Sequence, residues 1–330
     1  MSLGACGSVV MICPDRFGIP SIGSTVTPAA SAGLAASLTV DPIDGIPNLY
    51  GQIITTPANA PSDINLYRAP GDSRLYAFGT IAADAPTQHY KLAVVAPALL
   101  AGQQLRQALA RQGIRLSGNV RVLHWPQDDA ALLAHADALA EVWSPPLMEI
   151  LQRGLKRSQN LYLQNLLLCV GVHTQASDPA TGFTSSESHA IHALQQLLTT
   201  IGIAPSASLL DEGTGLSRRD LVTPNALVHL LVYLAAQPYG ERLRAALPIA
   251  GVDGTLHGRM RGTAAANNLH AKTGSMTYVN SLAGYVTSAA GERLAFAIML
   301  NNYQPPADGP SASSDVDAVA LLLANYRGRK

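Results

Sequence analysis

Two apolar runs near the end of the chain, Val279–Ser288 and Arg293–Asn302, limit the fold more than any other feature of the sequence. The four residues Ala-Ala-Gly-Glu join them, a connection short enough to predict an antiparallel hairpin. The segment after the hairpin, "SSDVDAVALLLANY", puts Val316, Val319, Ala320 and Leu323 on one helical face, which can cover the sheet. Helical signals precede the hairpin. Ser144 is placed to cap a helix with prolines in its first turn, and a second helix resumes after a break at Ser158. A capping box from Thr184 to Glu187 opens a third helix that ends before Gly202, and Thr223-Pro224 opens a fourth. Helices, then antiparallel strands, then a closing helix predict an α+β domain.

Residues 1 to about 90 read differently. They are rich in Ala, Ser, Pro, Gly and Thr, and short runs such as "GQIITT" and "SRLYAFGTIA" predict strands between turns. A helix is predicted over Pro97–Gln112 with Gly113 just past its end, followed by a strand, "NVRVLHW", and a connection over Pro126–Ala140. The expected division is a β-rich domain over 1–125 and a helix-and-sheet domain over 126–330.

A chain of 330 residues with 48% hydrophobic content can bury a substantial core. Its 22 basic residues balance 22 acidic ones with no long run of one sign, which argues against nucleic acid or an anionic membrane as partner and leaves a small molecule or peptide. Cys6, Cys13 and Cys169 neither form a disulfide framework nor have the spacing of a zinc site, and Cys169 in "LLLCV" is expected to be buried. His189 and His192 are three apart on a helix but lack a third ligand, so no metal is predicted. The stretch Gly251–Gly258 is neither a phosphate loop nor a dinucleotide fingerprint, and Arg218-Arg219 reads as a solvated pair. No stretch is long and apolar enough to span a bilayer, and the opening residues lack a basic region ahead of their apolar stretch, so no signal peptide is predicted.

Two short motifs carry the chemistry. Lys272-Thr273-Gly274 sets a cation, a hydroxyl and a residue without Cβ at the start of a predicted strand, where a carboxylate could meet all three. Ser158-Gln159-Asn160 sets a hydroxyl and a carboxamide in a tight break between helices, although Ser158 could also simply cap the second one. A Ser-x-Asn turn followed by a Lys-Thr-Gly strand is the order found in penicillin-binding proteins and β-lactamases.

The surrounding sequence makes the likeness specific. "SPPLMEILQRGLKRSQNLYLQNLLL", "EGTGLSRRDLVTPNALVHLL" and "GVDGTLHGRMRGTAAANNLHAKTGSMTYVNSLAGYV" resemble, in order and spacing, the class C penicillin-binding proteins, the D-Ala-D-Ala carboxypeptidase/endopeptidase family, over Ser144–Asn302. The first half is similar to the β-rich domain this family inserts in its catalytic domain. The resemblance implies a penicillin-binding-protein or serine β-lactamase-like fold and an acyl-enzyme peptidase of peptidoglycan stem peptides ending in D-Ala. It implies no cofactor and a periplasmic location for the complete protein, with β-lactams as further ligands; a homodimer is left open. Lys272 would attract the peptide's carboxylate, Thr273 would hydrogen-bond to it, and Gly274 would let substrate lie along the strand. The Ser275 N–H would sit at the oxyanion hole, Ser158 would relay a proton to the leaving amine, and Asn160 would hold the substrate amide.

The sequence departs from the family pattern in three places. Gln159 stands where Asp is usual, and Glu212-Gly213-Thr214-Gly215 where Asp-Gly-Ser-Gly is usual. More seriously, there is no Ser-x-x-Lys: the lysines are Lys91, Lys156, Lys272 and Lys330, preceded at three residues by Gln88, Arg153, Leu269 and Arg327. The reading is therefore an incomplete catalytic domain that begins after its nucleophile helix, inactive alone and poorly soluble where that helix would cover the sheet. The rival readings are a catalytically dead peptide- or partner-binding module and, further off, a β-lactamase or esterase on the same fold.

Overall fold

The computed structural model describes residues 21–41, 48–123, 134, 143–177 and 185–328, without the side chains of 21 and 175–177. The opening residues, Thr184 and, apart from Ala134, the connection expected over Pro126–Ala140 lie outside them. The described residues divide into two compact units, 21–123 with 134, and 143–328.

In the first unit β1 (Ser21–Thr27) lies between β2 (Ser37–Asp41) and β6 (Gln88–Ala93), antiparallel to both. β5 (Arg74–Ala82) lies between β3 (Asn48–Thr56), which runs parallel to it, and β4 (Asp63–Tyr67), which runs antiparallel. The two-residue period of β5 buries Leu75, Ala77 and Ile81, and Val26 of β1 packs with Ile53, Ala77 and Ile81 in one cluster that joins the two sheets. Helix α1 (Pro97–Arg111) ends as expected, with Gly113 at φ +80°. The strand expected from Asn119 is absent through Leu123. Arg106 instead donates to the Gly118 carbonyl at 2.7 Å, and the Val120 side chain lies where a Cβ on Gly102 would be, so this stretch packs along α1 and pairs with no strand among the described residues.

The second unit starts with α2 (Leu147–Lys156), α3 (Asn160–Ser177) and α4 (Ser186–Thr200). Ser144 does not cap α2. Pro146 takes that place at φ −53°, ψ 144°; the two prolines hold the residues before them, Ser144 and Pro145, extended, which keeps Ser144 away from the helix start. Ser185 caps α4, its hydroxyl accepting from the Ser188 N–H at 3.1 Å. The Glu187 carboxylate, expected to complete a capping box, accepts from Gln164 of α3 at 2.5 Å. Cys169 on α3 is half-buried, where burial was expected, because it sits beside the exposed Val170 edge of that helix.

A two-residue pair, β7 (Ser208–Leu209) with β8 (Leu221–Val222), leads to α5 (Pro224–Ala235) and α6 (Gly240–Ala246). Thr223 caps α5 through the Ala226 N–H at 3.2 Å, with Pro224 at the first helical position, as the sequence predicts. The main sheet has the order β11-β10-β9, all antiparallel, formed by β9 (His270–Met276), β10 (Val279–Thr287) and β11 (Arg293–Asn301). α7 (Ala312–Ala324) closes the chain.

Register assigns the two faces of this sheet. Ala271, Leu282, Val286 and Phe296 share one face with Gly284 and pack against Val316, Ala320 and Ala324 of α7, together with Leu256, Ala265 and Leu269. Val319, expected on that face, is 44% exposed: the buried positions follow a strict four-residue step from Val316, which leaves Val319 rotated outward. His270, Lys272 and Gly274 lie on the opposite face, across from Tyr285, Ala283 and Ser281, and the Tyr285 hydroxyl donates to the Leu231 carbonyl of α5 at 2.7 Å. β9 and β10 approach closely at Gly284, where a Cβ would stand 2.1 Å from the His270 carbonyl oxygen. Leu282 is fully buried at the centre of this core. Leu282→Ala should therefore cost about 2–5 kcal/mol in urea unfolding, whereas Val319→Ala should stay within about 0.5 kcal/mol.

Candidate functional site

The site begins where α2 stops. The Gln159 N–H reaches back to the Gly154 carbonyl at 2.9 Å and the Ser158 N–H to Leu155 at 3.4 Å, the paired bonds of a Schellman ending. That ending needs a left-handed residue, normally glycine. Ser158 occupies it at φ +52°, a conformation that costs about 1–2 kcal/mol for a residue with a Cβ. The chain re-enters a helix at once with Asn160, so Ser158 is held at a fixed corner between α2 and α3.

Lys272 meets Ser158 from the sheet. Its ammonium lies 2.8 Å from the Ser158 hydroxyl oxygen and 2.5 Å from its neighbour's carbonyl, that of Thr273. Burial pushes the Lys272 pKa below the ordinary lysine value, and among the described residues no carboxylate pairs with it. Two motifs 114 residues apart in sequence are thus in direct contact.

β9 is the edge strand of its sheet. The Ala271 N–H is taken by the Pro248 carbonyl at 2.9 Å, so by the two-residue period the N–H groups of Thr273 and Ser275 point to the same edge, past the end of that contact. An extended peptide could pair there. Gly274 is needed for packing: a Cβ would stand 2.4 Å from the Ser281 hydroxyl oxygen. Thr273 lies on the alternate side of the strand, and its hydroxyl is 2.8 Å from that of Thr255. Ser275 is exposed, with its hydroxyl 3.5 Å from the Asn280 carboxamide nitrogen. The Asn160 side chain is half-buried at the start of α3 and makes no hydrogen bond among the described residues. The Gln159 side-chain amide oxygen is buried without a partner among the described residues.

The sequence reading passed over Lys156 and Asp253, which hold this corner. Lys156 is 14% exposed and lies 2.5 Å from an Asp253 oxygen and 3.0 Å from the Leu247 carbonyl. The other Asp253 oxygen accepts from the Ile249 N–H at 3.0 Å. Gly254, at φ +58°, passes so near that a Cβ would be 2.7 Å from the Lys156 carbonyl oxygen. The usable signals were a lysine two residues before Ser-x-Asn and an aspartate inside a glycine-rich turn.

A second loop, between β7 and β8, completes the surroundings. Glu212 accepts from the N–H groups of Thr214, Leu216 (2.9 Å) and Ser217 (3.0 Å), and Gln164 of α3 accepts from Gly213 at 2.7 Å. Arg218 donates to the Thr277 carbonyl at 3.2 Å, while Arg219 pairs with Asp211. Arg218-Arg219 is therefore not simply a solvated pair, since Arg218 ties the loop to the β9–β10 turn. His189 and His192 belong to no cluster of three or more metal-ligating side chains among the described residues. A groove of about 500 Å³ at the other end of the sheet, near Glu241, Arg244 and Arg293, does not include Lys272.

Burial alone would raise the Glu212 pKa, but hydrogen bonds from the Thr214 side chain and the loop N–H groups outweigh it and bring it from 4.5 down to about 2. A carboxylate with a depressed folded pKa stabilises the fold above its unfolded pKa and loses that contribution as pH falls through the folded one. Urea unfolding between pH 6 and about 2 should show wild-type stability falling more steeply than that of Glu212→Gln below about pH 4.5.

Residues 21–326 match the profile of the D-Ala-D-Ala carboxypeptidase 3 (S13) family. A D-alanyl-D-alanine carboxypeptidase of Actinomadura sp. is 32% identical over 321 residues, 96% of this chain and 56% of the relative. D-alanyl-D-alanine carboxypeptidase DacB of Haemophilus influenzae is 33% identical over 205 residues, 62% of this chain and 40% of the relative. The chain thus spans about half the length of these curated relatives. The crystal structure of penicillin binding protein 4 from Haemophilus influenzae superposes with a TM-score of 0.71 at 25% identity, over 93% of this chain and 66% of that one; the same protein has also been solved complexed with a β-lactam. No helix among the described residues is long and apolar enough to cross a membrane. With its helices packed about an antiparallel sheet in the manner of penicillin binding protein 4, the chain belongs to the D-Ala-D-Ala carboxypeptidase 3 (S13) family of low-molecular-mass penicillin-binding proteins.

Proposed function

We propose that these residues form the greater part of a serine-type D-Ala-D-Ala carboxypeptidase/endopeptidase that acts on peptidoglycan stem peptides through an acyl-enzyme. The observation that carries this reading is the 2.8 Å contact between Lys272 and Ser158 beside an open strand edge. A stem peptide lies along β9, with its terminal carboxylate drawn by the Lys272 charge and the Thr273 hydroxyl. The Ser275 N–H, on that edge, donates to the oxyanion, while the Asn160 carboxamide, which has no partner among the described residues, holds the substrate amide. Ser158 passes a proton to the departing D-Ala amine, for which its contact with Lys272 provides a source. No step requires a metal or organic cofactor.

The acylating serine of this reaction belongs to a Ser-x-x-Lys, which the sequence does not contain. In this reading the complete protein supplies it, with residues 1–125 as part of the inserted β-rich domain and 126–330 as the catalytic portion that follows. The complete protein works outside the cytoplasmic membrane, in the periplasm, and takes up β-lactams at the same site. The missing motif also favours a second reading, a module that binds the peptide and does not turn it over.

A diacetylated tripeptide ending in D-Ala-D-Ala tests the site that both readings share, by calorimetry and by assay of released D-Ala. The 330-residue chain should bind it without releasing D-Ala, and Lys272→Ala should weaken binding by about 10- to 100-fold, the loss expected for a hydrogen bond to a charged group. Release of D-Ala by the chain alone, or unchanged binding by the variant, would contradict the assignment.

A further inference from the structure

We propose that the outer face of the β3-β5-β4 sheet in the first unit is a carbohydrate-binding face that takes a neutral polysaccharide of N-acetylated hexose units. The choice of polymer rests on the peptidase reading above, since stem peptides are carried on glycan strands of that chemistry.

Register gathers the aromatic side chains in one place. Leu75, Ala77 and Ile81 of β5 are buried, so by the two-residue period Arg74, Tyr76, Phe78 and Thr80 face the other way. Tyr76 is paired with Tyr50 of β3 and Tyr67 of β4, and Phe78 with Gln52 and Asn65, so two adjacent rows cross the three strands on that face. The Tyr50 and Tyr76 rings stack with centroids 5.6 Å apart, and those of Tyr67 and Tyr76 are 6.5 Å apart. Aromatic residues make up only 5% of the chain, yet four of them stand together here. Tyr50, Tyr67 and Phe78 are 48, 55 and 49% exposed. Cross-strand pairing accounts for aromatic rings side by side in a sheet but not for leaving half of each residue in water, and a contiguous exposed cluster marks a ligand surface.

The polar groups between the rings select the ligand. A pyranose presents a face of C–H bonds to an aromatic ring and hydroxyls at its rim, so stacked tyrosines flanked by hydrogen-bonding groups match it. Among the described residues the Gln52 carboxamide and the Tyr50, Tyr67 and Tyr76 hydroxyls make no hydrogen bond. Asn65 donates to Asp63 at 3.0 Å, which leaves its carbonyl oxygen and a second N–H. Carboxamides of this kind pair with an acetamido group, donating to its carbonyl and accepting from its N–H.

Charge points the same way. Neither row holds a charged residue; the flanking Arg74 is paired with Asp72 at 2.8 Å, and Asp63, beyond the second row, is met by Asn65. A neutral polymer fits such a face, whereas nucleic acid, an anionic membrane or a charged peptide gains nothing from it. The backbone is built to hold the rows. Gly51, between Tyr50 and Gln52, and Gly79, beside Phe78, have φ +80° and +112°, conformations that favour glycine. A Cβ on them would stand 2.4 Å from the Ala77 and 1.9 Å from the Asp63 carbonyl oxygen, so they let β3 and β4 lie tight on β5.

The test titrates the 330-residue chain by calorimetry with the β-1,4-linked hexamer of N-acetylglucosamine and with cellohexaose, which lacks the acetamido groups. The expected result is saturable binding of the first and at least tenfold weaker binding of the second. On the wild-type chain, hydroxyl-radical footprinting should show the hexamer protecting Tyr50, Tyr67 and Phe78. Phe78→Ala should weaken binding by about tenfold, the loss of one stacked ring, and Phe78→Tyr should keep it. The D-Ala-D-Ala tripeptide should not compete with the hexamer, so failure of this face and failure of the peptide site are read separately. No binding, equal binding of cellohexaose, protection elsewhere on the chain, or self-association of the chain that Phe78→Ala abolishes would each overturn the proposal. Footprinting of the wild-type chain decides the site even where a variant fails to fold.

Discussion

The Lys156–Asp253 pair is the tie on which the site's geometry depends. α2 and the sheet are far apart in sequence, and a helix end that finishes in a strained serine has little reason of its own to sit against an edge strand. Lys156 supplies one by binding both the Asp253 carboxylate and the Leu247 carbonyl, while Asp253 also accepts from Ile249. The segment it grips continues through Pro248 into contact with Ala271, the residue just before Lys272. Most of the pair is withdrawn from water, where loss of one partner leaves a poorly solvated charge. One lysine therefore fixes the helix end, the glycine-rich turn and the start of β9 as a unit, and Ser158 is carried to Lys272 as a consequence.

Close approaches of backbone do the rest. Gly254 lets the turn lie on the end of α2, Gly284 lets β10 lie tight on β9, and Gly274 makes room for Ser281. Each is a place where a methyl group would force main chain or a packed side chain apart. The loop around Glu212 is organised on a different principle. A single carboxylate gathers three N–H groups that no strand or helix would satisfy, and Gln164 and Arg218 fasten the loop to α3 and to the β9–β10 turn. The departure from aspartate to glutamate at that position thus leaves a well-satisfied loop.

Much of this was legible in the sequence because local signals and tertiary structure agree. The hairpin, the Thr223-Pro224 start of α5 and the Lys-Thr-Gly strand each carry their own turn or cap chemistry, and each stands where it was expected. The failures share a cause. Ser144 had the right residue type for a cap, but two prolines shifted the helix start; Val319 had the right spacing, but the turn of α7 chose Val316, Ala320 and Ala324. The run from Asn119 had strand composition but found a helix side and no partner strand. Ser158 was weighed as a cap because serine favours caps, and nothing local announces that it would occupy a glycine position at the end of α2. Lys156 and Asp253 were illegible for the same reason: an ion pair 97 residues apart leaves no periodicity.

Two lysines with different duties stand at the centre of this account, one paired and structural, the other half-buried beside Ser158 with no carboxylate partner among the described residues. The most direct measurement uses the fact that the sequence holds only Lys91, Lys156, Lys272 and Lys330. Selective ¹³C labelling at the lysine ε-carbon gives four resonances to titrate by NMR. The account predicts that one, absent in Lys272→Arg, titrates below the ordinary lysine range. It also predicts that Asp253→Asn, which releases the corner, returns that resonance toward the ordinary value. Lys272 titrating as an ordinary lysine in the wild-type chain, or unmoved by Asp253→Asn, would contradict it.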